Sequence, residues 1–471
     1  MIKINPFILI ATVIIITTGC SQKNKSTESK KPNIIIVLAD DAGYADFGAY
    51  GGKEIPTPNI DALIASGVKF TNAYVSASVC APSRAGLLTG RYQQRFGFEN
   101  NMSGDPTEGF TKEDMGIDPK ENTFGDEMRG NGYRTLAIGK WHLGNQDKHF
   151  PLNRGFDEFY GFVGGHRSFF PIKTGITAEE VIHDNKKIVS ENSVTYLTDM
   201  WTDKAISYIK QKSDKPFFIY LAYNAVHTPV DAKKEYWDKF SSIADSGRRS
   251  YAALMASLDD NVGRLSQTLK ENNLDENTLI LFLNDNGGAT NNSSDNGPLR
   301  GMKGSVWEGG TRVAMSMIWK NHLSNNSVFN YPVNSLDFLP TALAAADGKQ
   351  IGKNKLDGKN LFPFIKGENK EVPHQDLFWK RGVSAAVREG DWKLIRVETD
   401  PILLFDLSKD LSETKNIAKE NPEVVKRLLG KLADWENGLS KPHWTSSYGS
   451  KNLIMKHRME NVGREMERMY P

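Results

Sequence analysis

Short apolar runs set the terms for this chain: Ile34-Ile35-Ile36-Val37-Leu38-Ala39, Tyr133 to Ile138, Phe217-Phe218-Ile219-Tyr220-Leu221-Ala222 and Leu279-Ile280-Leu281-Phe282-Leu283. They do not alternate with polar residues, so they read as strands buried on both faces, which is the lot of a mainly parallel sheet covered by helices. Amphipathic stretches alternate with the runs, and there is no internal repeat. In open sheets of this kind ligands gather beyond the carboxyl ends of the strands, so the residues just after each run are where function is expected.

Those residues carry chemistry. The first run stops at Asp40-Asp41 and the last at Asn284-Asp285-Asn286-Gly287-Gly288. Adjacent carboxylates repel unless a cation lies between them. Either motif alone reads more readily as a turn or helix cap; together they offer carboxylates and an amide oxygen, hard donors for Ca²⁺ or Mg²⁺ and poor ones for zinc. The second run leads to Gly139-Lys140-Trp141-His142, where Lys140 and His142 would share a side if the chain stays extended. The third leads to His227-Thr228-Pro229, and a Gly-rich loop, Arg300-Gly301-Met302-Lys303-Gly304, presents Lys303 with little apolar context.

Cys80-Ala81-Pro82-Ser83-Arg84 is the most specific segment. Pro82 is expected to open a helix, since proline presets the backbone angle and lacks only an amide proton that a helix start leaves unpaired. Position 80 then faces a helix N-terminus suited to an anion, with Arg84 one turn on. The bland alternative is a buried cysteine at a helix start.

The segment, continued by Ala85-Gly86-Leu87-Leu88-Thr89-Gly90-Arg91, resembles the signature of the formylglycine-dependent sulfatases of the alkaline phosphatase superfamily. Further pieces match in order: Asp40-Asp41, Gly139 to Gly144, Asn224 to Pro229, Tyr251 to Leu265, Asn284 to Gly288, Leu299 to Arg312, Trp392 to Leu394 and Leu404 to Leu407. The resemblance implies that Cys80 is oxidised to formylglycine (3-oxoalanine) by a formylglycine-generating or radical maturation enzyme. It implies that Asp40, Asp41, Asp285 and Asn286, with the modified Cys80, hold Ca²⁺, Mg²⁺ being the alternative. A hydroxyl of the hydrated aldehyde would attack sulfur while Arg84, Lys140 and Lys303 neutralise the sulfuryl oxygens. His227, with Lys303, would protonate the leaving alcohol, and His142 would take the proton that lets sulfate depart. The implied fold is α/β: a large, mainly parallel sheet sandwiched by helices, followed by a small C-terminal antiparallel sheet with one helix.

Of the 471 residues, 1–20 read as a secretory leader whose Thr17-Thr18-Gly19-Cys20 resembles a bacterial lipobox, Cys20 being the lipidated residue; an ordinary cleaved signal is the alternative. Residues 21–31 read as a flexible tether. Residues 32–371 are assigned to a catalytic domain, and 372–471 to a small α+β domain with a charged tail from 448. The expected setting is the periplasm or outer membrane, with the membrane met only through the lipid. Cys20 and Cys80 are the only cysteines and each has a separate task, so no disulfide is expected. A net charge of +2 gives no global attraction to nucleic acid.

The expected substrate is a sulfated carbohydrate of the algal or another polysaccharide class. Its subsite is placed on Arg154, His166 and Arg167, within an aromatic and cationic stretch from Asn153 to Phe170. Two other readings compete: a phosphonate or phosphodiester hydrolase of the same superfamily, and a non-catalytic sulfoglycan-binding surface protein.

Overall fold

The computed structural model describes residues 1–2, 31–398 and 400–446. The leader, Cys20, the tether short of Lys31 and the tail from 448 fall outside the described residues, save Met1 and Ile2. The described residues from Lys31 onward belong to one compact unit. Among the described residues no helix is long and apolar enough to cross a membrane.

In chain order the strands are β1 (Asn33–Ala39), β2 (Val68–Phe70), β3 (Ala73–Tyr74), β4 (Arg134–Lys140), β5 (Glu158–Phe162), β6 (His183–Asp184), β7 (Lys187–Ile188) and β8 (Phe217–Ala222). They continue with β9 (Thr278–Asn284), β10 (Met315–Ile318), β11 (Ser327–Phe329), β12 (Val333–Asn334), β13 (Asp376–Arg381), β14 (Ser384–Glu389), β15 (Trp392–Val397) and β16 (Leu403–Asp406). The large sheet has the order β11-β2-β10-β9-β1-β8-β4-β5-β6-β7. Its centre, β9-β1-β8-β4-β5, is parallel throughout, while β10 on one flank and β6 and β7 on the other run antiparallel to their neighbours. The sheet is therefore mixed, and parallel where the apolar runs lie.

Successive residues of β1 belong to different cores, as the pleat requires. Ile34, Ile36 and Leu38 pack with the Cys80–Thr89, Phe124–Gly130 and Phe338–Ala345 helices. Ile35, Val37 and Ala39 pack with the Pro58–Ala65, Leu197–Ile209 and Ser246–Glu271 helices. The register sets the height of the strand ends: Ala39 is level with Asn284, Leu38 with Ala222, and Ala222 with Gly139. The segments leaving the central strands thus emerge at one rim.

The small sheet, β13-β14-β15-β16, is antiparallel throughout. One face takes Leu428, Leu432 and Trp435 of the Pro422–Glu436 helix. On the other, Leu377, Trp379, Ile395 and Phe405 pack against Tyr74, Val306 and Trp307, so the small sheet shares a core with the stretch just beyond the Lys303 loop.

Candidate active site

The helix bearing Cys80 starts at Cys80 itself, with Val79 as its extended cap, and Pro82 is its third residue rather than its first. The reason is that the first four amides of a helix have no intrahelical acceptor, so proline is tolerated at any of the early positions. Ala81 N, one of those amides, donates to Asn101 Oδ1 at 3.1 Å. Every residue of the helix is buried, and Cys80 is 1% exposed.

Around Cys80 Sγ the strand ends close in. The sulfur lies 3.6 Å from Asp40 Oδ1 and 3.9 Å from Asp41 Oδ1. Asp41 has φ +60°, a left-handed conformation that Asp tolerates better than most residues and that turns the chain out of β1. Lys140 Nζ donates to Asp40 Oδ2 at 2.6 Å and Lys303 Nζ to Asp41 Oδ2 at 2.7 Å. Arg84 donates through Nε and Nη2 to Asp285 Oδ2 at 3.0 and 2.8 Å, and its Nη2 stands 3.4 Å from Asp40 Oδ2. The Lys303 loop is pinned by Lys303 N to Gly288 O, 3.1 Å, and Gly304 N to Ser78 O, 2.6 Å. Gly287 is required here, since a Cβ would fall 1.7 Å from Gly309 O.

His142 does reach the site, but by another route than alternation. Its φ is +56°, so the chain has left the extended conformation after Lys140. Its ring lies against Gly165, where a Cβ would stand 2.7 Å from Nε2, and its Nδ1 is buried and makes no hydrogen bond. His227 Nδ1 is 2.6 Å from Thr228 O, so it is the protonated nitrogen; Nε2 is turned to Asp41 Oδ2 at 3.5 Å.

Burial opposes the charge on Asp40, yet Lys140, His227 and Arg84 outweigh it and hold the carboxyl well below its ordinary value. Burial likewise opposes charge on Asp41, which Lys303 and His227 lower. Asp285 goes the other way, pushed up to about 7 by burial and by Asp40 despite Arg84. Burial pushes the Cys80 thiol up to about 12. As a plain thiol, position 80 is thus protonated at neutral pH and a poor nucleophile. Burial, then the cations Lys303 and Lys140 respectively, lower His227 to about 4 and His142 well below the usual imidazole range. Both imidazoles are neutral at pH 7.

Ligand atoms of Asp40, Asp41, Cys80 and His227 lie within 4.8 Å of one another. Within this donor set the carboxylate oxygens of Asp40 and Asp41 suit a hard cation, whereas the Cys80 sulfur and His227 nitrogen do not. Asn286 Nδ2 donates to Asp41 Oδ1 at 2.7 Å, whereas its Oδ1 is buried and accepts no hydrogen bond. An orphaned amide oxygen beside paired carboxylates is what a cation would satisfy. The carboxylates of Asp40, Asp41 and Asp285 are matched by Arg84, Lys140 and Lys303. A dication would then leave the site positive, as binding of a sulfate ester needs.

A cavity of about 370 Å³ opens over this floor, lined by Cys80, His142, His227 and Lys303 below and by His166, Glu179, Asn101 and Arg381 on its walls. His166 thus lines the cavity, its ring 6.4 Å from that of His227 and nearly parallel to it. Arg167 does not: it is 1% exposed and pairs with Glu191 at 3.1 Å and Glu180 O at 2.6 Å. Nor does Arg154, which is buried and donates to the carbonyls of Asp118 and Glu121. Both arginines hold loops together, because loop carbonyls taken out of water need donors. Asn101, Glu179 and Arg381 were not among the expected residues. Arg381 alone had a legible signal, as a charge in phase with the inward residues of an alternating strand.

The sulfatase family model matches residues 32–348. The chain is 32% identical to human arylsulfatase A over 85% of its own length and 87% of that protein. It is 31% identical to N-acetylgalactosamine-6-sulfatase of Sus scrofa, with 74% and 69% covered. Among solved structures it resembles Ps i-CgsB in complex with k-i-k-neocarrahexaose, with a TM-score of 0.83 and 36% identity over 90% of this chain and 97% of that one.

Proposed function

The chain belongs to the sulfatase family and is a sulfuric ester hydrolase, and on that premise we propose that it desulfates a sulfated carbohydrate, with formylglycine at position 80 and Ca²⁺ held by Asp40, Asp41, Asp285 and Asn286. The observation that carries the reading is Cys80 itself: a buried side chain, useless as a thiol at neutral pH, set at the junction of paired carboxylates and matched cations. The carbohydrate class is supported by relatives that act on or bind sugars by name, N-acetylgalactosamine-6-sulfatase and the neocarrahexaose-bound Ps i-CgsB. The same reading has the chain exported and lipid-anchored through Cys20, with a maturation enzyme as its partner at Cys80.

Formylglycine, as its hydrate, supplies a hydroxyl nucleophile and a second hydroxyl through which sulfate can be expelled. Held by Asp40, Asp41, Asp285 and Asn286, Ca²⁺ would supply positive charge that lowers the pKa of a hydroxyl beside it. Lys140 and Lys303, fixed on Asp40 and Asp41 at 2.6 and 2.7 Å, hold positive charge at the floor without reorganising. Arg84, fully buried like Lys140, donates twice to Asp285 and so fixes that carboxylate. His227 Nε2 is placed to pass a proton to the leaving alcohol; substrate negative charge offsets the burial and the Lys303 repulsion that disfavour its protonated form. His142, neutral and with an unused nitrogen, is the base that accepts the proton when sulfate leaves.

The test combines peptide mass spectrometry at position 80 with sulfate release from sulfated oligosaccharides, before and after chelation and Ca²⁺ readdition. Formylglycine, chelator-sensitive desulfation and slower turnover of an aryl phosphodiester are expected. Full activity from protein carrying only the thiol, or faster phosphodiester cleavage, overturns the reading.

A further inference from the structure

The loop that follows Gly288 faces two ways. Ala289, Thr290 and Asn291 line the cavity over Cys80, and the next residue, Asn292, is 1% exposed. Ser294 N donates to Asn292 Oδ1 at 3.1 Å, which settles which end of the amide is which. Nδ2, with two hydrogens, donates to Asp41 O and to Val226 O, each at 3.0 Å. Those carbonyls belong to different loops, one to the residue that holds Lys303 and the other to the residue just before His227. The Asn292 loop is itself closed by Ser294 Oγ on Ala289 O at 2.6 Å and held from behind by Arg248 Nη1 on Ser293 O at 3.1 Å. A backbone pair, Asp40 N to Ala225 O at 2.9 Å and Val226 N to Asp40 O at 2.8 Å, joins the other two loops at their base. Past it Asp41 turns away at φ +60°, and the Asn292 amide carries the join on to His227. Two separate donors would satisfy these buried carbonyls equally well. One planar group serving both also fixes them relative to each other.

We propose that Asn292 is a positioning residue for the proton transfer to the leaving alcohol: by tying Val226 O to Asp41 O it holds the His227 imidazole where Nε2 can face the ester oxygen. The inference rests on the reading of His227 as the acid. In that step the Nε2 proton passes to the bridging oxygen as the S–O bond breaks and its electron pair stays on that oxygen, and the imidazole is left neutral. His227 has little else to hold its direction. Its ring reaches Thr228 O through Nδ1 at 2.6 Å, a contact within the same loop, and Asp41 Oδ2 through Nε2 at 3.5 Å, longer than a hydrogen bond should be. The direction of the acid is therefore set by where its backbone sits against Asp41, which is what the shared amide fixes. Misplacing an acid costs most where the leaving oxygen most needs a proton.

The experiment measures kcat/KM on a series of aryl sulfates, from para-nitrophenyl sulfate to phenyl sulfate, for the full chain as wild type, Asn292→Ala, His227→Ala and the double variant, with bound Ca²⁺ and unfolding curves for each. Asn292→Ala should leave para-nitrophenyl sulfate within about twofold of wild type and slow phenyl sulfate about tenfold, so that the rate falls more steeply with the basicity of the leaving phenolate. His227→Ala should be steeper still. The double variant should be no steeper than His227→Ala, because a residue that acts through another adds nothing once that other is gone. A merely structural role would lower stability and slow the whole series alike. An unchanged slope in Asn292→Ala, or losses that add in the double variant, overturns the proposal while the acid reading of His227 stands. A slope unchanged in His227→Ala overturns the acid reading, and the proposal with it. Uniform slowing with loss of Ca²⁺ in Asn292→Ala would mean that the amide serves Asp41 alone, which also overturns it. Asn292→Ser, which keeps one donor, should fall between wild type and Asn292→Ala, and its slope decides if the alanine variant does not fold.

Discussion

Two buried clusters of charge in this molecule are made from the same ingredients. At the strand ends, Asp40, Asp41 and Asp285 meet Arg84, Lys140 and Lys303. Between the two sheets, Lys393 Nζ stands 2.8 Å from Glu308 Oε1 and 3.0 Å from Glu413 Oε1, with Arg312 3.2 Å from Glu308 Oε2 and Tyr74 donating to the same oxygen at 2.7 Å. In the second cluster Lys393, Glu308 and Glu413 are fully buried. Glu413 also accepts Glu308 N through Oε2, 2.7 Å, and Arg300 through its carbonyl, 2.7 Å, so it ties the small sheet to the start of the Lys303 loop. The first cluster keeps Lys303 and His227 partly exposed to the cavity and leaves Asn286 Oδ1 and His142 Nδ1 without hydrogen bonds. In the second cluster Glu413 Oε1 likewise makes no hydrogen bond, though Lys393 Nζ stands 3.0 Å away; what separates the two clusters is that the first borders a cavity, where an unsatisfied polar atom can meet a ligand.

The contrast breaks most sharply at Asp285. Asp285→Ala should lower sulfate release by roughly a thousandfold or more and remove the bound cation, since it strips an oxygen ligand and the partner that orients Arg84. Metal analysis and single-turnover rates on the folded protein check it, and an active, metal-loaded variant would erase the distinction. At the other cluster, Lys393→Met should cost about 3–5 kcal/mol in denaturant unfolding by leaving two buried carboxylates facing one another, while the rate per folded molecule suffers far less. If the rate collapses and the stability does not, the roles of the two clusters are reversed.

A finer test divides the first cluster internally. His227→Ala should slow sugar sulfates, whose alkoxides leave poorly, about ten- to a hundredfold more than aryl sulfates. His142→Ala should slow both alike and let a covalent sulfo-enzyme accumulate, visible by intact mass after quenching. The smallest expected effect is one of pH. Burial and the neighbouring Glu308 push Glu413 up to about 7 in the folded protein, above its ordinary 4.5. A raised carboxyl contributes stability that is present below about 4.5 and lost as pH rises through 7. Between pH 5 and 8 wild-type protein should therefore lose about 1 kcal/mol or more relative to Glu413→Gln, read from unfolding curves at each pH.

Much of the first cluster was legible because apolar runs that stop abruptly at charged residues announce strand ends, and register then brings Asp40, Lys140 and Asp285 to one rim. The second was not. Glu308 sits in a Gly-rich segment and Glu413 in a loop with φ +51°, and nothing local says that Lys393 meets both. Arg154 and Arg167 misled because a cation in a loop reads as solvent-facing, while these two satisfy loop carbonyls from within. The antiparallel flanks were missed since short edge strands such as Lys187–Ile188 carry too few residues to show a period.

The burial of Cys80 fixes an order of events. The side chain is 1% exposed, in the first turn of a helix whose ten residues are all buried in the core. If position 80 is converted to formylglycine as proposed, the oxidising enzyme would have to reach it before the sheet and its helices close. A molecule that folds first would stay a thiol form for as long as it remains folded. A preparation would then hold two populations that differ in whether they turn over. Specific activity of any preparation would count how many chains were met in time, and an active-site titre, not a protein concentration, is the proper denominator for kcat.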